Sequence, residues 1–291
     1  MASTKHGGRS SVADDAAEPD YISINKVFHD HECAYYDERF AIVHDERSAR
    51  QAVAEVEGLI GRPLRAGERI LDAGCGTGWF AAGVRRARPD VVVLGSDLSA
   101  GMLGKAREAG AWPLVQGDCT TFPFADGSID VVVARGVLHH LPEVVPALVE
   151  WRRILAPDGV VALSSEPTPT VEAHGMYVVK ALLAVLRRPL SEVEDFWEVA
   201  SMAANLHVFT VEQLAGMCRD AGYGEVVLRT EDLISTLILT ASYVSHGRRP
   251  GLARRVPWRT LEALGATVDR QLVHRLVPQR YRHTIVGTLR P

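Results

Sequence analysis

Residues 69–78 read R-I-L-D-A-G-C-G-T-G, the stretch of this chain best suited to grip a small molecule. Ile70 and Leu71 end a short apolar run, Asp72 stands where a strand would stop, and Gly74, Gly76 and Gly78 follow at alternate positions. Trp79, Phe80, Ala81, Ala82 and Val84 then open a helical pattern. Strand, glycine turn and helix together form the plan of a nucleotide-binding first crossover, because glycine lets the backbone turn and approach a ligand with no Cβ between them. Asp97 lies 19 residues beyond Gly78, near the distance at which a carboxylate grips ribose hydroxyls. A dinucleotide fingerprint counted from Gly74 wants its third glycine at Trp79 and fails; counted from Gly76 it falls on Ala81, which the looser form tolerates. His29, His31 and Glu32 are ligand types for a metal, but on a helix only His29 and Glu32 share a face. They are expected to line or cover a pocket, with no metal.

The elements that must position these groups follow from periodicity. Val91 to Leu94, Pro113 to Gln116, Ile129 to Ala134 and Val160 to Ser165 read as further strands. Helical patterns begin at Ser99 and run from Pro142 to Leu155, and Pro157-Asp158-Gly159 reads as a turn. Strands alternating with helices imply parallel pairing with helices on both faces. Ahead of this unit, Ala49, Ala52, Val53, Val56, Leu59 and Ile60 recur at helical spacing, capped by Asp45 or Ser48 and ended by Gly61 and Pro63. Beyond it, residues 170–205 are apolar at helical spacing in their first half. Thr210 caps a helix to Ala221, and strands at Glu225 to Leu228 and Thr284 to Leu289 enclose a mostly helical stretch.

Composition bounds the class. The 291 residues are 47% hydrophobic and 23% charged, enough for one sizeable core without requiring a second. No apolar run approaches the roughly 20 residues of a membrane span, and residues 1–20 lack the apolar stretch of a secretory signal. Cys33, Cys75, Cys119 and Cys218 form no C-x-x-C pair, so reduced thiols and a cytoplasmic location are expected. The net charge of −4 is uneven: residues 246–291 carry ten arginines against Glu262 and Asp269, a balance of +8.

The runs I-L-D-A-G-C-G-T-G, G-S-D-L-S-A-G-M-L and Q-G-D-C-T-T-F-P-F-A-D-G-S-I-D-V-V-V-A-R-G-V-L-H-H-L-P resemble class I S-adenosylmethionine-dependent methyltransferases. Within them the chain is similar to the methyltransferase type 11 group, which includes ubiquinone and menaquinone biosynthesis enzymes. The resemblance covers about residues 68–166. It implies an α/β fold: a Rossmann-like, mostly parallel seven-stranded sheet flanked by helices. Around it come a disordered arm (1–20), an N-terminal helical annex (21–66), and a methyltransferase domain (67–291) with helical lid or cap insertions near 167–208 and 232–280.

The resemblance also implies S-adenosylmethionine as cofactor and assigns its contacts. Gly74, Cys75, Gly76 and Gly78 would pack against the methionine portion, with Asp72 near its ammonium. Asp97 would accept from the ribose hydroxyls, Leu98 and Met102 would flank the adenine, and Asp118 and the Cys119 N–H would meet its edge. Ala134 and Arg135 would close the far side of the sulfonium, with Tyr36 or Tyr35 capping the cofactor. His140, with His139 beside it and Glu166 at the end of the fifth strand, are the candidates for a general base.

The preferred acceptor is a small, hydrophobic natural-product or lipid-like molecule methylated on oxygen or carbon. RNA or protein methylation is the competing reading, drawn from the arginine-rich tail. A methyltransferase fold that binds the cofactor without transferring methyl is another. No nucleic-acid partner is expected; an anionic or carrier-bound substrate at the basic segment is the sharper reading of those arginines.

Overall fold

Period-two burial in the central strands puts apolar side chains on both faces of one sheet. The computed structural model describes residues 21–110, 112–171, 174, 207–248 and 254–291. Seven strands form the sheet: β1 (Arg69–Ala73), β2 (Val92–Asp97), β3 (Leu114–Gln116), β4 (Ile129–Arg135), β5 (Leu155–Pro167), β6 (Glu225–Glu231) and β7 (Thr284–Arg290). Their order is β3-β2-β1-β4-β5-β7-β6, and β7 alone runs antiparallel to its neighbours. The fold is therefore the Rossmann-like one expected.

Helices α1 (Tyr21–Glu32), α2 (Tyr36–Arg39) and α3 (Glu46–Ile60) precede the sheet. Interleaved with the strands are α4 (Trp79–Ala87), α5 (Ala100–Ala109), α6 (Val144–Ile154) and α7 (Val211–Asp220); α8 (Ile234–Arg248) and α9 (Trp258–Val268) lie between β6 and β7. Ile70, Val131, Val133, Val160 and Ala162 pack against α3 and α4 through Ala52, Val56, Phe80 and Val84. Their neighbours Leu71, Val132, Ala134, Val161 and Leu163 point the other way, toward Leu148 and Trp151 of α6 and Leu214 of α7. A sheet covered on both faces accounts for strands that read as nearly continuous apolar runs.

The helix ends follow the sequence signals. Asp45, not Ser48, caps α3 by accepting from the Ser48 N–H at 2.8 Å, and Gly61 ends it at φ +73°. Thr210 and Gln213 form a capping box on α7. The largest boundary difference is in β5. The strand expected from Val160 begins at Leu155, and Pro157-Asp158-Gly159 lies inside it as an irregularity: Ile129 pairs with Leu155, but Val131 pairs with Val160. The arm 1–20 and most of the insertion at 167–208 lie outside the described residues. No described helix is long and apolar enough to cross a membrane.

Candidate active site

The carboxyl ends of β1, β2 and β4 meet beneath α1 and α2, where a cavity of about 430 Å³ opens, a size usual for small-molecule sites. The three loop glycines all have positive φ, each in a different setting. A Cβ on Gly74 would lie 2.6 Å from Cγ2 of Val137, and one on Gly78 would lie 2.8 Å from the Trp112 ring. A Cβ on Gly76 would meet nothing within 4 Å; it would project into open space. The Gly76 N–H donates to Oδ2 of Asp97 at 2.8 Å and the Ser99 N–H to Oδ1 at 2.9 Å, so Asp97 ties β2 to the glycine loop. Burial raises the Asp97 carboxyl above the usual range against those two N–H groups.

Tyr36, Gly74, Gly76, Asp97, Leu98, Met102, Asp118, Cys119 and Arg135 line the cavity. Asp72, Cys75, Gly78 and Ala134 do not; they sit behind its wall, with Asp72, Cys75 and Ala134 buried. Tyr35 is 54% exposed and points away, which leaves Tyr36 as the aromatic over the site. Asp72 accepts from the Ala81 N–H in the first turn of α4, yet its buried Oδ2 has no partner. Burial pushes its pKa up to about 7, opposed by the nearby Arg135 guanidinium. Arg135 donates from Nε to Glu55 at 2.8 Å and lies 4.5 Å from the Trp79 ring centroid. Arg135 is thus clamped against α3 and α4 and still reaches the cavity.

The base candidates divide. His140 lines the cavity, its ring 5.0 Å from that of His29 and edge-on to it. Glu166 does not face the cleft, contrary to the expectation drawn from its place at the end of β5. It is fully buried. Its Oε1 accepts from the Val137 and Leu138 N–H groups at 2.9 and 3.0 Å, and its Oε2 from the His139 N–H at 3.2 Å and pairs with His139 Nδ1 at 3.0 Å. A carboxylate so occupied anchors the loop after β4. His139 is turned inward with it and lies outside the cavity lining.

Comparisons with known proteins agree with this geometry. The family model described as "Methyltransferase domain" matches residues 71–163. A demethylmenaquinone methyltransferase of Renibacterium salmoninarum is 34% identical over 170 residues, 56% of this chain and 69% of the relative. A malonyl-[acyl-carrier protein] O-methyltransferase of Erwinia pyrifoliae is 32% identical over 222 residues, 70% of this chain and 76% of the relative. The chain belongs to the S-adenosylmethionine-dependent methyltransferases. Among solved structures, phosphoethanolamine N-methyltransferase 2 of Haemonchus contortus shares the fold with a TM-score of 0.59 at 17% identity; the match covers 94% of this chain and 60% of that one. The [4+2]-cyclase SpnF shares it with a TM-score of 0.56 at 20% identity, over 94% of this chain and 97% of that one.

The residues of this methyltransferase fit its cofactor. Open space over Gly76, an unpaired buried carboxylate oxygen on Asp72 and a carboxylate at the end of β2 match a ligand with an ammonium and ribose hydroxyls. Of the three α1 residues expected to line or cover a pocket, His29 lines the cavity, but sequence reasoning did not single out Ile22 and Asn25 on the same face. Ile22, Asn25 and His29, spaced i, i+3 and i+7, line the cavity together, and Asn25 donates to the His140 carbonyl at 2.9 Å. The signal was present in that spacing. Burial, then the neighbouring His139, lowers the His29 pKa to about 4, so its ring is neutral at ordinary pH.

Proposed function

We propose that this methyltransferase acts on a small, largely apolar acceptor at oxygen or carbon, with His140 as the proton acceptor. The observation that carries the reading is the shared wall: His140 faces the same cavity as Asp97 and Gly76, beneath Ile22 and beside Leu141, Pro142 and Pro146. S-adenosylmethionine supplies, when bound, a methyl carbon made electrophilic by its sulfonium. The protein's part is alignment and proton removal, and alignment alone is worth roughly 7–11 kcal/mol in favourable cases.

In this reading Asp97 takes the ribose hydroxyls and Asp118 with Cys119 the adenine edge, while Asp72 acts on the ammonium through its charge from behind the cavity wall. Arg135 holds the methionine end from the β4 side. A ring nitrogen of His140 accepts the acceptor's proton, while His29 stays neutral beside it and adds no competing charge. Glu166 is a positioning residue for the loop that carries His140. The chain's resemblance to demethylmenaquinone and malonyl-carrier methyltransferases supports an acceptor that is either a quinone-type ring or a carrier-bound acyl group. The basic segment gives limited support to carrier docking: Arg254 pairs with Glu38 and Arg259 with Asp45, so both are spent within the chain. The side chain of Arg248 and all of Arg249 lie outside the described residues.

Labelled S-adenosylmethionine offered with candidate acceptors, alongside calorimetry with S-adenosylhomocysteine, tests the proposal. His140→Ala should lower kcat by roughly tenfold or more with product affinity intact. Gly76→Val should abolish S-adenosylhomocysteine binding by filling the open space at the loop. Wild-type kcat in His140→Ala would leave alignment alone as the chemistry; unchanged affinity in Gly76→Val would remove the cofactor from this cavity.

A further inference from the structure

The helical segment between β6 and β7 carries an apolar ridge that nothing in the described structure covers. Leu264 is 59% exposed, Val268 38%, Leu272 53% and Leu276 75%, each four residues from the last. In a regular α-helix residues four apart drift by about 40° per step, so four of them would wind off one face. Here α9 passes into a π-helical turn at Asp269–Val273 before a last helical turn at His274–Leu276. The wider turn offsets part of that drift, and all four side chains remain exposed along the segment. The row on one side, Gly265, Asp269 and Val273, is buried; that on the other is Thr267, Gln271 and Arg275. The inward row anchors the segment: Asp269 accepts from the Ile234 and Ser235 N–H groups and the Ser235 hydroxyl at the start of α8. The apolar sector thus extends past what α8 covers, and exposed leucines in line differ from scattered surface ones.

The exposed charges on this segment have one sign. Arg255, Arg270, Arg275 and Arg280 are exposed and make no ion pair with a described residue. Its three acids are withdrawn from the surface: Asp269 is buried, and Asp232 and Glu262 are part-buried. Past the end of the ridge Tyr281 is 46% exposed, with the Arg280 guanidinium 4.8 Å from its ring centroid. A row of leucines bordered by arginines and closed by an aromatic is the composition of a helix lying in a lipid interface: the apolar row enters the acyl boundary and the guanidinium groups reach the headgroups. Pairing with a second copy about a two-fold axis would bring the arginines of both copies to one interface with no acid between them.

We propose that the ridge Leu264–Val268–Leu272–Leu276, with Arg275, Arg280 and Tyr281 at its border, docks this protein onto an anionic lipid surface. The segment leaves the sheet after Glu231 and rejoins it at Thr284, which pairs with both Glu231 and Pro167. It therefore stands over the same sheet edge as the cavity. The docking face is defined by the outside of the cap and does not depend on which acceptor the cavity takes.

Co-sedimentation of the full chain with vesicles tests this. Wild type should pellet with phosphatidylcholine vesicles containing phosphatidylglycerol at low ionic strength, and much less with phosphatidylcholine alone or at high salt. Leu272→Ser/Leu276→Ser should weaken that binding by roughly tenfold or more, since two exposed leucines supply much of the inserted apolar area. Arg275→Glu/Arg280→Glu should weaken it on anionic vesicles only. Both variants should keep the wild-type Tm and S-adenosylhomocysteine affinity, because every substituted residue is exposed and outside the cavity lining. A wild-type protein that ignores anionic vesicles overturns the proposal, as does a leucine variant that binds them like wild type. So does concentration-dependent dimerisation lost in the leucine variant without vesicle binding, or capture of an acidic protein in place of lipid.

Discussion

Asp72 is a carboxyl group held near neutrality by its surroundings. Burial is the largest influence and raises its pKa to about 7, while Arg135 and the Ala81 N–H pull in the other direction. Between the ordinary carboxylate value and 7 the folded chain holds a proton that the unfolded chain has released, so this group's contribution to stability falls as pH rises through that window. A ligand ammonium beside Asp72 acts oppositely, because it favours the ionised form. Affinity for S-adenosylhomocysteine should therefore rise with pH below 7, by up to about tenfold per unit, and level off above it. Binding below pH 7 should release a proton, visible as a dependence of the calorimetric heat on the buffer's ionisation enthalpy. Asp72→Asn should flatten both effects. A wild-type affinity already flat from pH 5.5 to 7, a window reaching about one and a half units below the shifted value, would place the ammonium elsewhere.

At the scale of elements, the loop after β4 is shaped by a strand on its far side. Ser165 adopts φ +62°, and the pairing of β5 with β7 shifts register between Leu163 and Glu166. A bulge of this kind re-aims the next side chain, and Glu166 ends up beneath residues 137–139. Glu166→Ala would leave three backbone N–H groups without their side-chain acceptor. It should cost on the order of 3 kcal/mol or more and lower Tm together with activity. Lost turnover at an unchanged Tm would instead mark Glu166 as a proton acceptor for the substrate.

The same loop shows why the sequence is legible in some places and mute in others. Asp72 through Gly78 and the seven strands follow local signals, since strand, turn and helix are written in adjacent residues. Glu166 meets partners 27–29 positions away, Asn25 meets His140 115 away, and Glu55 bridges to Arg135 and Ser164 across 80 and 109. No periodicity encodes such pairings. Placing Glu166 by strand order alone put it in the cleft; the bulge that turns it away has no local signature.

Across the whole molecule, the roof over the cavity is attached by polar ties. Asp30 of α1 accepts from the Ser99 hydroxyl at 2.5 Å and the Gly101 N–H at 2.8 Å, at the start of α5. Asp37 of α2 accepts from the Thr77 hydroxyl at 2.5 Å in the glycine loop, and Glu38 and Asp45 pair with Arg254 and Arg259 from the far end of the chain. No hydrophobic side chain among the described residues of 22–44 is buried, whereas β1 and β4 are almost wholly so. Segments held with so little buried apolar area open at low free energy. Amides of α1 and α2 should thus exchange with deuterium orders of magnitude faster than those of β1 and β4 in the ligand-free protein. S-adenosylhomocysteine should slow them, because a bound ligand fills the space beneath Tyr36 and must be covered for the roof to close. Asp30→Ala should raise the free rate in α1 and weaken product binding while leaving the exchange of β1 and β4 untouched. Protection of α1 equal to that of the core strands without ligand would mean that the roof is part of the rigid fold and that entry to the cavity lies elsewhere.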